Sequence, residues 1–391
     1  MKSNCTVVRL EDIATDLSDG LHKAPVFVKG GEYIFVNATN LENGHIVDKD
    51  QEKHTTYEEY LKYGIPLTER TILYSIDGTI GNIARYHGEK CVLGKGACYI
   101  TVKNDVDVDY VYYQLQSPHF RSYISSMATG STIRHISLKT MRNYCFPLPC
   151  FDTQKKISSI LKSIDDRIST NSQINDNLQQ QAQAIFAERF CPKNSATVPA
   201  GWTLTSLGDV AYISNNSFNP LKQQETLLEH YSIPAFDETR FPVFESSKAI
   251  KSNKFIVDPD CFLISKLNPT TKRVWRPYCI TQSAVCSTEF IVYKAKKTNL
   301  TEFLYSLIDS AAFSDFMCSH VTGSTGSRQR TIPSDTLQYQ FYLPPEEEIA
   351  SFSAVVSPMY ASIRINAIEN ERLKALRDSL LPRLMSGDVD I

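Results

Sequence analysis

The chain has 391 residues, 42% hydrophobic and 21% charged, with 41 Lys and Arg against 43 Asp and Glu and a formal net charge of −2. That length exceeds one hydrophobic core and predicts at least two domains. Charge balances in each half, 16 basic against 17 acidic residues over 1–150 and 14 against 13 over 201–343, so any DNA-binding surface has to come from local clustering of cations. No apolar run approaches the roughly 20 residues that span a bilayer, and the opening MKSNCTVVRLEDIA lacks the apolar core of a signal peptide, so a cytoplasmic location and no membrane partner are expected. Ten cysteines in such a chain are expected to be reduced thiols.

In chain order, the landmarks of the first half return in the second. VVRLEDIA at 7–14 reappears as LTSLGDVA at 204–211. YITVK at 99–103 matches FIVYK at 290–294, and both are rich in β-branched and aromatic residues, which predicts strands. YVYYQLQSPHF at 110–120 matches FLYSLIDSAAF at 303–313, two amphipathic helical patterns that end in Phe. ATGSTIRHIS at 128–137 corresponds to VTGSTGSRQR at 321–330, and CFPLPC at 145–150 to QFYLPP at 340–345. The offsets drift only from 191 to 197, as small loop insertions produce, so the chain is a tandem repeat.

Each copy is followed by a long helical stretch. A step of seven picks out Ile157, Ile164, Asn171, Leu178 and Ile185 in the first, and adding 195 lands on Phe352, Met359, Asn366, Leu373 and Leu380 in the second. An Asn occupies the same step of both apolar seams, where a polar residue costs stability but pins register. The two helices are therefore expected to pack on each other, antiparallel so as to allow a pseudo-twofold arrangement. Each would run on the order of 50 Å at about 1.5 Å per residue. The predicted organisation is an α/β domain over 1–150, a long helix over 151–190, a Pro- and Ala-bearing hinge over 191–202 with a helix stop at Pro192, a second domain over 203–345, and a helix with tail over 346–391.

These residues resemble the specificity (S) subunits of type I restriction-modification systems over essentially the whole chain. The closing LRDSLLPRLMSGDVDI at 376–391 is similar to the family's C-terminal end, and DGLHKAP with GGEYIFVNATNLENGHI at 19–46 resembles a frequent opening of its target-recognition domains. ILYSIDGTIGNIARY at 72–86 resembles the strand, Gly turn and strand that follow, and GSTIRHISLKTMRNYCFPLPCFDTQKKI at 130–157 the exit into a helix. FLISKLNPTTKRVWRP at 262–277 lacks that Gly turn, and where FDTQKKI has Gln154, PPEEEIA is read as having Glu348.

The resemblance implies an α+β fold, with two tandem similar target-recognition domains separated by two long helices that pack as an antiparallel coiled coil. It further implies a non-catalytic subunit that reads a bipartite, asymmetric site on double-stranded DNA, one half per domain. The helices would dock two modification subunits, and restriction subunits would join them. S-adenosylmethionine, ATP and magnesium are then expected on those partners, with no cofactor in this chain.

The residues themselves offer no catalytic constellation. GEKCVLGKG at 88–96 imitates a phosphate loop, but Gly88 to Gly94 is one residue too long, and Gly96 stands where Ser or Thr would bind magnesium. VDPDCFLISK at 257–266 places Asp260 and Lys266 around a strand, with Ile264 where two-metal chemistry needs a second acid. Cys91 with Cys98 and Cys279 with Cys286 are spaced by seven, wider than structural zinc pairs, and are expected to be small core residues.

Reading duplex DNA needs cations for phosphates and forked donors for base edges, with Arg suited to guanine and Asn or Gln to adenine. The candidates are His22, Lys23, Arg134, His135 and Lys139 in the first domain. In the second they are Lys266, Lys272, Arg273 and Arg276 on a run expected to be exposed, then Arg328, Gln329 and Arg330. Gly130, Gly323 and Gly326 allow close backbone approach. A solubilising surface would carry the same charges, but the clusters follow the same GST loop in both halves. Near-zero net charge also predicts weak DNA binding by the chain alone. The other readings are a DNA-recognition module of another defence or methylation assembly, a coiled-coil adaptor that needs no cation-bearing loops, and a self-sufficient nuclease or NTPase.

Overall fold

A computed structural model describes residues 5–127, 135–191, 198–222, 224–323 and 329–386. The chain divides into two units, Met1–Ser169 with Glu371–Ile391, and Thr170–Asn370.

In the first unit, Thr6–Arg9 pairs antiparallel with Cys145–Leu148, tying the entry of the domain to its exit. A four-stranded sheet runs in the order Ala14–Asp19, Ala97–Val102, Thr71–Ser75, Ile83–Arg85. A smaller sheet orders His54–Thr55, Tyr33–Val36 and Cys91–Leu93, the last two parallel. The strand TILYS is buried at all five positions, as its β-branched and aromatic residues suit a central strand.

The second unit repeats the plan. Thr203–Ser206 pairs with Gln340–Leu343, and the order Ala211–Ile213, Phe290–Ala295, Cys261–Ser265, Val274–Trp275 reproduces the four-stranded sheet. Leu227–Tyr231 lies parallel to Ala284–Ser287 within a sheet grown to five strands. Even the opening turn is retained: the Arg9 amide donates to Asp12 Oδ2 at 3.1 Å and the Ser206 amide to Asp209 Oδ2 at 2.9 Å, each acid three residues along.

Registers align the copies residue by residue. Ala97 faces Ser75 as Phe290 faces Ser265, and Leu73 faces Ala84 as Leu263 faces Trp275. Asn268 therefore stands where Gly78 does, with φ of 53° against 71°. The turn that the second copy was expected to lack is present, because Asn tolerates the left-handed region better than most residues with a Cβ.

The long helices are Phe151–Phe190 and Glu346–Ser386. Their first and last stretches enter the domain cores: Ile157 and Leu161 with Leu381, Leu384 and Met385 in the first unit, and Ala182 and Phe186 with Phe352, Val356 and Tyr360 in the second. Fully burying a large apolar side chain is worth about 1.5–3 kcal/mol, enough to bind each domain to the helix stretches it covers. For that reason the division falls within both helices, whereas the expected boundaries separated each domain from its helix. The stretch 191–202 lies inside the second unit. Its Pro192 is outside the described residues, and Trp202 packs on Phe190 with ring centroids 5.8 Å apart.

Within each unit the helices run antiparallel. Arg377 Nη1 donates to Asp165 Oδ1 at 2.9 Å in the first unit. In the second, Asn171 Nδ2 donates to Asn370 Oδ1 at 2.9 Å and to Glu369 Oε2 at 2.8 Å, and Asn366 Nδ2 donates to Asn175 Oδ1 at 2.9 Å. The two seam Asn residues do not meet each other. Each pairs with the Asn one turn along on the facing helix, and the offset of 195 relates one pair to the other. Ile157, Ile164, Asn171 and Phe352 are buried, while Leu178, Ile185, Met359, Asn366, Leu373 and Leu380 are half-buried. A step of seven samples one position of a stripe that needs two, so it passes over Leu161, Phe186, Val356 and Leu381.

Gln154 is buried in the first unit, accepting from the Asp107 amide at 2.8 Å and donating to the Pro149 carbonyl at 2.8 Å. Its counterpart by the seam offset is the buried Ile349. Glu348 is exposed and takes a 3.4 Å contact from the Trp202 indole, which corrects the expected match. Among the described residues no helix is long and apolar enough to cross a membrane.

Candidate nucleic-acid interface

In the first unit four loops converge at one end of the strands. Leu21 bridges Gly94, its amide donating to the Leu93 carbonyl at 2.7 Å while the Lys95 amide donates back to the Leu21 carbonyl at 2.9 Å. A Cβ on Gly20 would lie 2.2 Å from the Leu93 oxygen, so this approach requires glycine. Asp77 bridges His135, and the Ile136 amide donates to the Ile76 carbonyl at 2.9 Å.

These loops bring together four of the expected cations. His22 is exposed and lies 3.1 Å from Asp19, and the His135 ring Nδ1 is hydrogen-bonded to the Asp77 carboxylate. Lys23 is exposed with no ion pair among the described residues, as is Lys139 on Leu138–Arg142, a helix capped by Ser137 Oγ accepting from the Thr140 amide at 3.0 Å. Lys95, 4.0 Å from Asp77, joins this group. Sequence reasoning passed over it because it sits in the phosphate-loop imitation, whose Cys91–Leu93 is a buried strand. Arg134 and Gly130 lie outside the described residues.

The second unit repeats the join between the Asp77 and His135 loops. Leu267 bridges Arg330, the Thr331 amide donates to the Lys266 carbonyl at 3.1 Å, and the Asn268 amide donates to the Gln329 carbonyl at 2.9 Å. Arg330 makes a two-point contact with Glu289, at 3.0 and 3.1 Å. Arg328 and Gly326 lie outside the described residues.

The run at 266–276 was expected to be an exposed loop free of structural duty, and most of it is not. Lys272 Nζ donates to the buried Asp309 carboxylate and carbonyl at 2.7 Å each, and Asp309 also accepts from Gln179 of the long helix at 2.7 Å. Arg273 clamps Asp237 at 2.6 and 2.9 Å. Arg276 is ion-paired with Glu302 and stands 5.8 Å from the Tyr360 ring of the second long helix. These acids are distant in sequence, so the pairing is not legible from the run itself. Of the four cations in the run, Lys266 alone has no side-chain partner among the described residues. Lys272 and Arg276 thus join domain to helix, whereas Lys266, Gln329 and Arg330 belong to the loop convergence.

The cysteine pairs are not equivalent. Cys286 occupies the place of Leu93, since Tyr231 faces it as Val36 faces Leu93. Burial pushes the Cys91 and Cys279 thiols up to about 12. Among the described residues no group of His, Cys, Asp and Glu is arranged to hold a metal ion.

Two copies of one α+β fold, each ending in convergent, cation-bearing loops and each seated on antiparallel helix stretches, define a duplicated recognition protein. Residues 2–180 match the family model described as Type I restriction modification DNA specificity domain. Over most of its length the chain is similar to the specificity subunits of type I restriction enzymes. It is 24% identical over 348 residues to the specificity subunit of the type I restriction enzyme MjaIX of Methanocaldococcus jannaschii, covering 82% of this chain and 78% of that one. It is 22% identical over 360 residues to the HindI specificity subunit of Haemophilus influenzae, covering 73% and 78%. In fold it is similar to the crystal structure of the type I S subunit from M. genitalium, with a TM-score of 0.61 and 14% identity over 100% of this chain and 97% of that one.

Proposed function

We propose that the chain is the non-catalytic subunit that selects the DNA site of a type I restriction-modification complex. Each recognition domain reads one half of a bipartite, asymmetric duplex site, and the long helices dock two modification subunits, to which restriction subunits are added. S-adenosylmethionine, ATP and magnesium then belong to those partners, and the complex works in the cytoplasm.

The observation that carries this reading is the repeated loop convergence with unlike side chains. His22, Lys23, Lys95, His135 and Lys139 gather in one unit, and Lys266, Gln329 and Arg330 in the other. One backbone frame presenting two different donor sets is what reading two different half-sites requires, because base edges are distinguished by donor and acceptor pattern.

The test is co-expression with the modification subunits followed by sequencing of methylated adenines in the host DNA. The expected result is one motif of two specified runs separated by a fixed unspecified spacer. Methylation without a motif, or a single uninterrupted one, overturns the reading.

A further inference from the structure

The residue that leaves the GST loop is braced by a carboxylate in both units, and the carboxylate comes from a different loop in each. His135 bonds Asp77, which directly follows the strand Thr71–Ser75 and Ile76. Arg330 occupies the equivalent bridge, opposite Leu267, which has no acid to offer. Its carboxylate is that of Glu289, at the turn before Phe290–Ala295.

These two sources are spatial neighbours. The Ile76 amide donates to the Gly96 carbonyl at 3.0 Å as the Lys266 amide donates to the Glu289 carbonyl at 2.9 Å, so Glu289 is the counterpart of Gly96. A Cβ placed on Gly96 would lie 3.8 Å from the Asp77 Cβ. The pair Asp77 and Gly96 has thus become Leu267 and Glu289: the acid stands at the adjoining position and still meets the side chain at the loop exit.

We propose that Asp77 and Glu289 are positioning residues that aim His135 and Arg330 at the bases of the two half-sites, an inference resting on the DNA-reading function above. Holding the loop exit does not require them. Backbone bonds from Ile136 and Thr331 to the carbonyls of Ile76 and Lys266 already do that, at 2.9 and 3.1 Å. The carboxylates bind side chains instead, and in both pairs the His or Arg is the more exposed partner, 42% against 25% for His135 and Asp77 and 43% against 29% for Arg330 and Glu289. An acid behind a cation weakens its grip on phosphate but fixes the direction of its donors. The rotamer freedom of a long side chain is then given up on folding instead of on binding. That exchange suits a contact that discriminates between bases.

The test uses the complex with its modification subunits and reads the methylated motif in host DNA. Glu289→Gly is expected to reduce discrimination at one or more positions of one half-motif by about tenfold, the scale of one forked base contact, and to leave the other half unchanged. Arg330→Ala relaxes the same positions. The double variant Leu267→Asp with Glu289→Gly, which rebuilds the first unit's arrangement, restores them. Glu289→Gln, of nearly equal volume, repeats the relaxation with an unaltered melting curve, which separates aim from folding. If Arg330→Ala relaxes the motif while Glu289→Gly and Glu289→Gln leave it intact, or if the double variant restores nothing, positioning by Glu289 is refuted and DNA reading stands. If Arg330→Ala also leaves the motif intact, the assignment of Arg330 to DNA is refuted with it.

Discussion

Arg276 and Glu302 form in the second unit the ion pair that Arg85 and Asp109 form in the first. The sheet registers make Arg85 and Arg276 counterparts, and each acid is the second residue of its helix, Val108–Gln114 or Thr301–Ile308. One turn on, Tyr113 OH donates to Asp165 of the long helix at 2.8 Å, and at the matching place Ser306 Oγ and Tyr360 OH lie 2.9 Å apart. The join between domain and helix is thus maintained in both copies with exchanged chemistry.

Arg276→Met is expected to lower unfolding stability by about 1–3 kcal/mol, because it leaves the partly buried Glu302 without its partner. Lys266→Ala, with no side-chain partner to remove, should change it by less than about 0.5 kcal/mol. Urea titration compares the two, and equal midpoints would refute a structural role for Arg276.

The fully buried Glu229 fastens a loop in the second unit. Its carboxylate accepts from Tyr231 OH at 2.5 Å and from the amides of Ile280 and Thr281 at 3.1 and 2.7 Å. The Thr281 hydroxyl donates to it as well, at 3.1 Å, so Glu229→Ala removes the acceptor of four donors and is expected to cost about 3–5 kcal/mol, read as a lowered thermal midpoint.

Two histidines respond to pH in opposite senses. His54 bonds Asp48 at 2.9 Å and the Gly31 carbonyl at 2.7 Å, and these bonds raise its pKa; His230 bonds Glu245 at 2.6 Å, yet burial lowers its pKa. The stability from His54 is fully present below its unfolded value of about 6.5 and is lost as pH rises through its folded pKa. That from His230 is present above about 6.5 and is lost as pH falls through its folded pKa. Proton NMR titration should place the His54 midpoint above that of a model imidazole and the His230 midpoint below it. Coincident midpoints would contradict both shifts.

The Asn pairs predict non-additivity. Asn171→Leu or Asn370→Leu alone breaks the buried amide-to-amide bond and sets an apolar side chain against the remaining amide, at about 1–3 kcal/mol, whereas the double variant should recover part of the loss. A double-mutant cycle measures this, and simple additivity would rule out the coupling.

Duplication, fold class and helix pairing were legible because they rest on patterns that survive divergence: strands such as YITVK and FIVYK, and apolar seams 195 apart. Three features were not. The turn at Asn268 was hidden because a backbone conformation persisted while the glycine did not. Glu348 was mistaken for the counterpart of Gln154 because similar polarity outweighed a shift of one residue, which the burial of Ile349 corrects. The ion pair of Arg276 was hidden because its partner, Glu302, lies 26 residues away and nothing local announces it. Of the candidate interface, the basic clusters after the GST loops can be read in the sequence, while Lys95 needed the bridge between Leu21 and Gly94 to enter the group.

The most direct measurement replaces residues 203–345 with the corresponding domain of another specificity subunit, leaves both helices intact, and maps methylated adenines in the presence of the modification subunits. One half of the bipartite motif should change while the other half and the spacer length stay as they were. A motif that changes in both halves, or in neither, would contradict the assignment of one half-site to each domain.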